Sequence, residues 1–535
     1  MFDPATLKEQ YLYSIQNFAQ RPAFSFVGKT PMSYSQFDES SQKLISVFDK
    51  FGIAEGDKVA LLGSNMPHWP VAYWATVISS RVIVPILPDF TAFEIVNILE
   101  HSEAKVLFIS NKLMYKVPEH MLQKLSLVIC LDSFELLSSK PTSACTTTDP
   151  QPNTLASIIY TSGTSGTSKG VMLSHRNLCA QMGMSYSLFP VNANDVFLSI
   201  LPLSHAYECT IGMLYPFANG SSVVYLDGMP TPNLLMPALL EVRPTLMMSV
   251  PLIVEKIYKN KIRPKFTGNF FMQMLYSFQP VRRLLHKIAG KKLVALFGGR
   301  LRFFGIGGSK LDGMVERFLR DAGFPYAIGY GLSETAPLLA GAVPGIVPFR
   351  STGPKLEGLD MRIANPDKHG IGEIQVKGPN VMQGYYKDAD MTESVFTADG
   401  WFRTKDLGKI SRQGNLYIKG RLDNMILGPS GENIYPEEIE AVINEHDLVL
   451  ESLVKQVKGR MVAMVHFNYP QIEAWHQFRE ETVKNMGERV EKLKVELMEY
   501  INERVSKFSR VAEIIEQSVP FEKTATQKIK RFLYN

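Results

Sequence analysis

The sequence predicts an α/β protein: a large N-terminal domain with parallel-rich sheets flanked by helices, followed by a small α+β domain. Three observations carry that prediction. Short, almost wholly apolar runs recur along the chain, as expected of strands covered on both faces. Amphipathic segments of helical period alternate with them, the pattern of crossover connections. Beyond residue 421 the character changes to one strong strand and one long charged helix.

Strands are predicted at Lys105–Ser110, Leu127–Leu131, Leu155–Tyr160, Val196–Leu201, Ser222–Leu226 and Leu246–Val250. Segments such as Ala92–His101 and Leu234–Glu241 read as helices between them. The tail offers a strand at Met461–Phe467 and then a helix over roughly Glu488 to Lys507, with Val490, Leu493, Leu497, Tyr500 and Ile501 at helical spacing. From Asn424 onward there are 15 Lys and Arg against 18 Asp and Glu, a net of −3, so the part before it carries +8 of the chain's +5. The boundary is placed at Gly420–Asn424, giving domains 1–420 and 425–535 joined by 421–424.

Composition narrows the function. With 45% hydrophobic and 20% charged residues over 535 positions, the chain buries a large core and is not a disordered protein. A net charge of +5 is too weak for its size to argue for nucleic acid. The four cysteines, at spacings of 15, 34 and 30, form no CxxC and stand with no HExxH. They predict neither a disulfide framework nor a structural zinc site, and favour a reducing compartment. The opening MFDPATLKEQYLYS lacks the basic and apolar regions of a signal peptide. The uncharged stretch Val59–Ser80 carries Asn65, Pro67, His68 and Pro70, which argues against a membrane span. The expectation is a cytoplasmic protein, at most peripheral to the inner face of a membrane.

The clearest chemical feature follows the Leu155–Tyr160 strand. Thr161, Ser162, Gly163, Thr164, Ser165, Gly166 and Thr167, with Lys169 just beyond, make a loop of small and hydroxyl residues whose amides can converge on one anion. Lys169 adds a point charge. The loop is not GxxxxGK[ST], so a kinase or GTPase reading loses its main support. The other reading, a flexible Ser/Gly linker, is disfavoured by the strand before it and the helix-like Ser174–Leu178 after it.

Other motifs follow in order: Leu201-Pro-Leu-Ser-His205, Gly329-Tyr-Gly-Leu-Ser-Glu-Thr335, Gly400-Trp-Phe-Arg-Thr-Lys-Asp406, Gly420-Arg-Leu-Asp423, Gly431-Glu-Asn-Ile-Tyr-Pro-Glu-Glu-Ile-Glu440 and Lys523-Thr-Ala-Thr-Gln-Lys-Ile-Lys-Arg531. Together with the loop they span nearly the whole chain and resemble the adenylate-forming superfamily of acyl-CoA synthetases, adenylation domains and luciferases. The resemblance implies a two-step reaction. A carboxylate attacks the α-phosphate of ATP–Mg²⁺, giving an acyl-adenylate and pyrophosphate, and a thiol such as that of CoA then displaces AMP.

The resemblance also implies roles. The 161–169 loop would hold the β- and γ-phosphates; Thr335 would contact the α-phosphate; Glu334 would ligate Mg²⁺, a hard cation that prefers oxygen. Asp406 would accept both ribose hydroxyls with Arg421 in support, and Tyr330, next to Gly331, would stack on adenine. Lys528 would reach the α-phosphate and carboxylate oxygens, although Gln527 stands where the family has a glycine. Asp423 matches the hinge about which the mobile small domain turns, bringing the Gly431 loop to the thiol. His205 would bound the carboxylate pocket or gate thiol attack, or else be a satisfied half-buried histidine. No GxSxG elbow supports Ser–His chemistry, and Gly305-Ile-Gly-Gly308 is not GxGxxG.

Within the superfamily, Arg243–Tyr258 and Phe304–Ser309 look most like long-chain fatty acyl-CoA ligases. The aromatic, Met-rich Phe270–Phe278 and the basic amphipathic Val281–Ile288 suit an acyl tunnel with a membrane-touching entrance, or equally a core helix with a solvated basic face. With no carrier domain after residue 535, an amino-acid adenylation domain is disfavoured. Acyl carrier protein offers the same phosphopantetheine thiol as CoA and stays open as acceptor, as does a catalytically reduced nucleotide- or lipid-binding protein on this fold.

Overall fold

A computed structural model of the chain describes residues 2–140, 143–162, 168–267, 270–427, 432–478, 486–524 and 528–534. The body is built on two eight-stranded sheets and one five-stranded sheet; a three-stranded sheet belongs to the tail. In the first sheet Lys58–Leu62 lies between Val82–Ile86 and Ala104–Ile109, all parallel, and Leu127–Cys130 extends it. Leu155–Ser162 joins Val82–Ile86 in parallel, and two antiparallel strands, Ser168–Ser174 and Gly384–Tyr385, close that edge.

The strands on either side of the candidate phosphate loop, Leu155–Ser162 and Ser168–Ser174, pair antiparallel as far as Ser162 opposite Ser168. A strand, Ser168–Ser174, follows the loop, and the helix-like Ser174–Leu178 opens the helix His175–Leu188, where Ser174 and Asn177 form a capping box. The polar start of that strand, Ser168-Lys-Gly170, hid it in the sequence.

The second sheet runs Phe303–Ile306 between Leu246–Ser249 and Tyr326–Gly331 in parallel, with Val196–Ser199, Ser222–Tyr225 and Pro22–Phe26 beyond. Tyr330 and Gly331 thus sit at the carboxyl end of a strand near the sheet edge, where open α/β sheets place ligands. The six strands predicted for the body are all present, each within about two residues of its expected ends. Ala92–Ser102 is capped by Thr91 and Glu94 and stopped by Glu103 at φ 55.

The uncharged stretch beyond Val59 is core. Trp69 and Trp74 of the helix His68–Ile78 are fully buried in the cluster that joins both large sheets. Among the described residues no helix is long and apolar enough to cross a membrane.

The five-stranded antiparallel sheet was not legible. Its strand Phe402–Ile410 alternates buried and exposed residues through polar Arg403, Lys405 and Asp406, and so reads as a short motif. Beyond residue 424, Val449–Val457, Arg460–Phe467 and Val511–Glu516 form a sheet covered by the helix Met486–Asn502, with a core of its own. That helix stops at Asn502 rather than near Lys507. The Asn502 side chain bonds both the N–H and the carbonyl of Val511, turning the chain into the next strand.

This unit is tied to the body through Arg263 and Asp447, Arg350 and Glu445 at 3.4 Å, and Lys419 and Glu438 at 2.5 Å. Phe271, Met274 and Phe278 are 62%, 45% and 58% exposed, so these three side chains line neither an enclosed tunnel nor a core.

Candidate active site

The site is assembled from strand ends. Asp406 and Arg421 stand directly opposite each other on the paired strands Phe402–Ile410 and Asn415–Arg421. Arg421 Nη1 donates to Asp406 Oδ1 at 2.9 Å, and the Tyr330 hydroxyl donates to Oδ2 at 2.8 Å. Asp406 is only 7% exposed, so both partners are needed to keep a buried charge satisfied. Each of its oxygens retains a lone pair for a further donor. Burial, with the Asp406 charge adding, holds the Tyr330 phenol far above its ordinary pKa, so it remains a donor. Lys405, just before Asp406, is forced to φ 59 where the strand bulges, a strain of the kind kept at ligand sites. Its ammonium lies 3.6 Å from Asp423.

The neighbouring turn carries Glu334. Gly331 is required there: a Cβ would lie 1.8 Å from the Pro337 carbonyl oxygen. Thr335 is fully buried, and its hydroxyl faces inward, 2.7 Å from the Pro337 carbonyl and 3.0 Å from that of Leu332. It shapes the turn rather than facing the cleft. Glu334 is half-buried, and its Oε1 accepts the Tyr385 hydroxyl at 2.9 Å. Tyr385 comes from the strand paired with Ser168–Ser174, so it joins the loop edge to the Glu334 turn. Lys169 sits over the Tyr385 ring at 5.5 Å, across the hairpin from Thr161. Gly163, Thr164, Ser165, Gly166 and Thr167, the Ser162 side chain and Gly431 lie outside the described residues.

The C-terminal tail reaches this cleft. Lys523 pairs with Glu451 at 2.6 Å, Lys530 with Glu522 at 3.7 Å, and Arg531 with Glu440. Lys528 alone of these basic residues makes no ion pair with a described residue. Its backbone is clipped to Thr524, and the residue is solvent-exposed. Enclosure pushes its pKa down, Asp406 pulls it up, Arg421 pushes it down, and Glu334 pulls it up. His205 feels the same lysine: burial, then the Lys528 charge, bring its pKa down to about 4, so the imidazole is neutral at neutral pH. Its Nδ1 accepts from the Tyr207 amide at 3.3 Å.

The structure thus bonds Asp406 to Arg421 and Tyr330, and Glu334 to Tyr385 beside Lys169, with Lys528 near enough to Asp406, Arg421, Glu334 and His205 for their charges to be felt. Asp423 stands at the rim in the short turn Leu422–Asn424. Sequence reasoning missed Tyr385 and Lys405, for which no spacing signalled a role. It also missed Glu208, three residues past His205. That carboxyl is 1% exposed, in the π-turn Glu208–Leu214, and burial pushes its pKa up to about 8.

Comparison with known proteins fits this geometry. Residues 13–386 match the AMP-binding enzyme family. Over most of its length the chain is 26% identical to long chain acyl-CoA synthetase 7, peroxisomal, of Arabidopsis thaliana, covering 88% of this chain and 74% of that protein. It is 25% identical to long-chain-fatty-acid–CoA ligase 1 of Cavia porcellus, over 84% of this chain and 71% of that one. The crystal structure of ATP-bound MatB from Rhodopseudomonas palustris superposes with a TM-score of 0.78 over 99% of this chain and 98% of that one, at 22% identity, a likeness of fold. With the family match spanning well over half its length, the chain belongs to the AMP-binding enzymes, within the adenylate-forming superfamily.

Proposed function

We propose that this AMP-forming acid–thiol ligase activates a long-chain fatty acid with ATP and passes the acyl group to CoA. The observation that supports the reading is that Lys528, from the tail, lies near enough to Asp406, Arg421 and Glu334 of the body for their charges to act on it. In the first step a carboxylate oxygen bonds to the α-phosphorus and pyrophosphate leaves with the electron pair of the broken P–O bond. Lys528 donates to the phosphate and carboxylate oxygens as charge develops there, a preorganised role worth about 3–4 kcal/mol. Asp406 uses its remaining lone pairs for the ribose hydroxyls, held in place by Arg421, and the Tyr330 ring covers the adenine. Lys169 and the 161–167 loop hold the β- and γ-phosphates. Thr335 acts as a positioning residue for the Glu334 turn.

The residues present fit Mg²⁺. Among the described residues no three His, Cys, Asp or Glu converge, which suits an ion held mainly by substrate phosphates with one carboxylate, Glu334. When bound, the ion neutralises phosphate charge. In the second step the thiol sulfur bonds to the acyl carbon and AMP leaves. The small domain turns about 421–424 between the steps, with Asp423 as hinge, withdrawing Lys528. The neutral His205 flanks the carboxylate.

Support for the long acyl chain comes from the curated relatives, both named for long-chain substrates. AMP release, measured over acetate to octadecanoate with CoA and with acyl carrier protein, tests the reading. Efficiency should rise with chain length by up to about fourfold per CH₂ until the site is full. Acetate performing as well as dodecanoate would overturn the long-chain assignment, and preference for acyl carrier protein would overturn CoA.

A further inference from the structure

The charge of this chain is concentrated in one segment. From Lys256 to Leu311 there are 13 Lys and Arg and no Asp or Glu, so the rest of the chain carries 5 − 13 = −8. Some of that positive charge is consumed: Lys259 pairs with Asp312, Arg263 with Asp447 and Arg302 with Asp195. Arg283, Lys287, Lys291 and Lys292, all on the helix Gln279–Leu296, are exposed and make no ion pair with a described residue.

That helix has a fixed inner face. His286, Gly290 and Leu293 are buried, and His286 is clamped between the Tyr276 hydroxyl at 2.7 Å and Asp321 at 3.0 Å. Gly290 lets the helix press on Ala322, since a Cβ would come within 2.4 Å of its carbonyl. At ~100° per residue, the side opposite this face is centred on Leu284 and Ile288. They are 59% and 48% exposed. Lys287 and Lys291 lie on one flank of that pair and Lys292 on the other. Immediately before the helix, Phe271, Met274 and Phe278 are exposed as well.

We infer that the outer face of the helix Gln279–Leu296 docks flat on an anionic phospholipid bilayer. An apolar strip with lysines on both flanks is the distribution an interfacial helix needs. The apolar side chains enter the acyl boundary while the long basic side chains snorkel to the phosphates. Two adjacent aliphatic residues flanked by lysines suit a lipid surface better than a polyanion such as DNA, which would be met by basic residues at the centre of the face. The charge complements an anionic leaflet, and it is localised on a chain that is otherwise net acidic. The inference is independent of which acid is activated.

Co-sedimentation of the full chain with phosphatidylcholine vesicles, and with the same vesicles containing phosphatidylglycerol, tests it. The wild type should partition to the anionic vesicles, lose affinity with added salt, and bind the neutral ones far more weakly. The pair Leu284→Ser and Ile288→Ser should weaken binding at least about tenfold. The pair Lys287→Gln and Lys291→Gln should weaken it on the order of thirtyfold, on anionic vesicles only. Both variants should keep wild-type ATP–pyrophosphate exchange with dissolved octanoate, which confirms folding. If no variant supports exchange, thermal melting serves as the folding control and vesicle binding is still read. Failure of the wild type to bind anionic vesicles, or equal binding by all three proteins, overturns the inference. Loss of binding in the lysine variant alone, with duplex DNA competing as well as lipid, would overturn it in favour of a polyanion site.

Discussion

The strand pair bearing Asp406 and Arg421 and the tail bearing Lys528 meet in one cleft, yet they are built on opposite terms. Asp406 is nearly buried, faces its cation across a strand register, and has both oxygens partnered. Lys528 hangs on a bridge between Lys523 and Ile529, keeps solvent contact, and has no ion pair with a described residue. A group that only binds gains from being fixed, because its ordering is complete before the ligand arrives. A group that acts in one step and must leave before the next gains from a short, weakly tied mount. Removing the first should cost binding; removing the second should cost one chemical step.

The largest effect should come from the fixed side. If Asp406 holds the ribose as proposed, Asp406→Ala removes two charge-assisted bonds at about 1.5–3 kcal/mol each, so kcat/KM for ATP should fall about 10²–10⁴-fold. The fall should be carried mainly by KM. A loss confined to kcat would mean that Asp406 is not a binding group. Glu334→Gln should lower pyrophosphate exchange on the order of 10–10²-fold and raise the Mg²⁺ concentration at half activity. Unchanged Mg²⁺ dependence would remove Glu334 from the metal site. Tyr385→Phe loses one hydrogen bond to Glu334, and about a two- to tenfold loss is expected, in the same direction.

The smallest effect is a titration. His205 should titrate near 4, and Lys528→Ala should raise that value because a neighbouring cation no longer opposes the imidazolium. Burial, the larger cause, keeps it below 6.5. The unfolded chain binds this proton at about 6.5 and the native protein only near 4, so stability contributed by His205 is present above pH 6.5 and lost as pH falls towards 4. An NMR titration showing no change in His205 on removal of Lys528 would mean that the tail does not sit over the cleft in solution.

The same contrast governs what could be read in advance. Parallel strands such as Ala104–Ile109 and Leu127–Cys130 are buried on both faces and announce themselves as apolar runs. Glu334, Asp406 and Lys528 are proposed from motif order, which is independent of packing. Phe402–Ile410 was not legible, because its alternating burial places the polar Thr404 and Asp406 at buried positions, so no apolar period shows in the sequence. Tyr385 and Glu208 were missed for a different reason. Their significance comes from partners or burial far away in sequence, as when the Tyr385 hydroxyl meets a carboxylate 51 residues back. Thr335 was assigned to the phosphate by its motif, whereas the fold spends its hydroxyl on the turn.

The central claim is that Lys528 serves the first half-reaction and leaves for the second. Lys528→Ala should be assayed twice, by ATP–pyrophosphate exchange and by thioester formation from presynthesised acyl-adenylate and CoA. Exchange should slow by about 10²–10³-fold, the cost of one preorganised donor, while thioester forms at close to the wild-type rate. Equal damage to both steps would make the lysine structural and contradict the account.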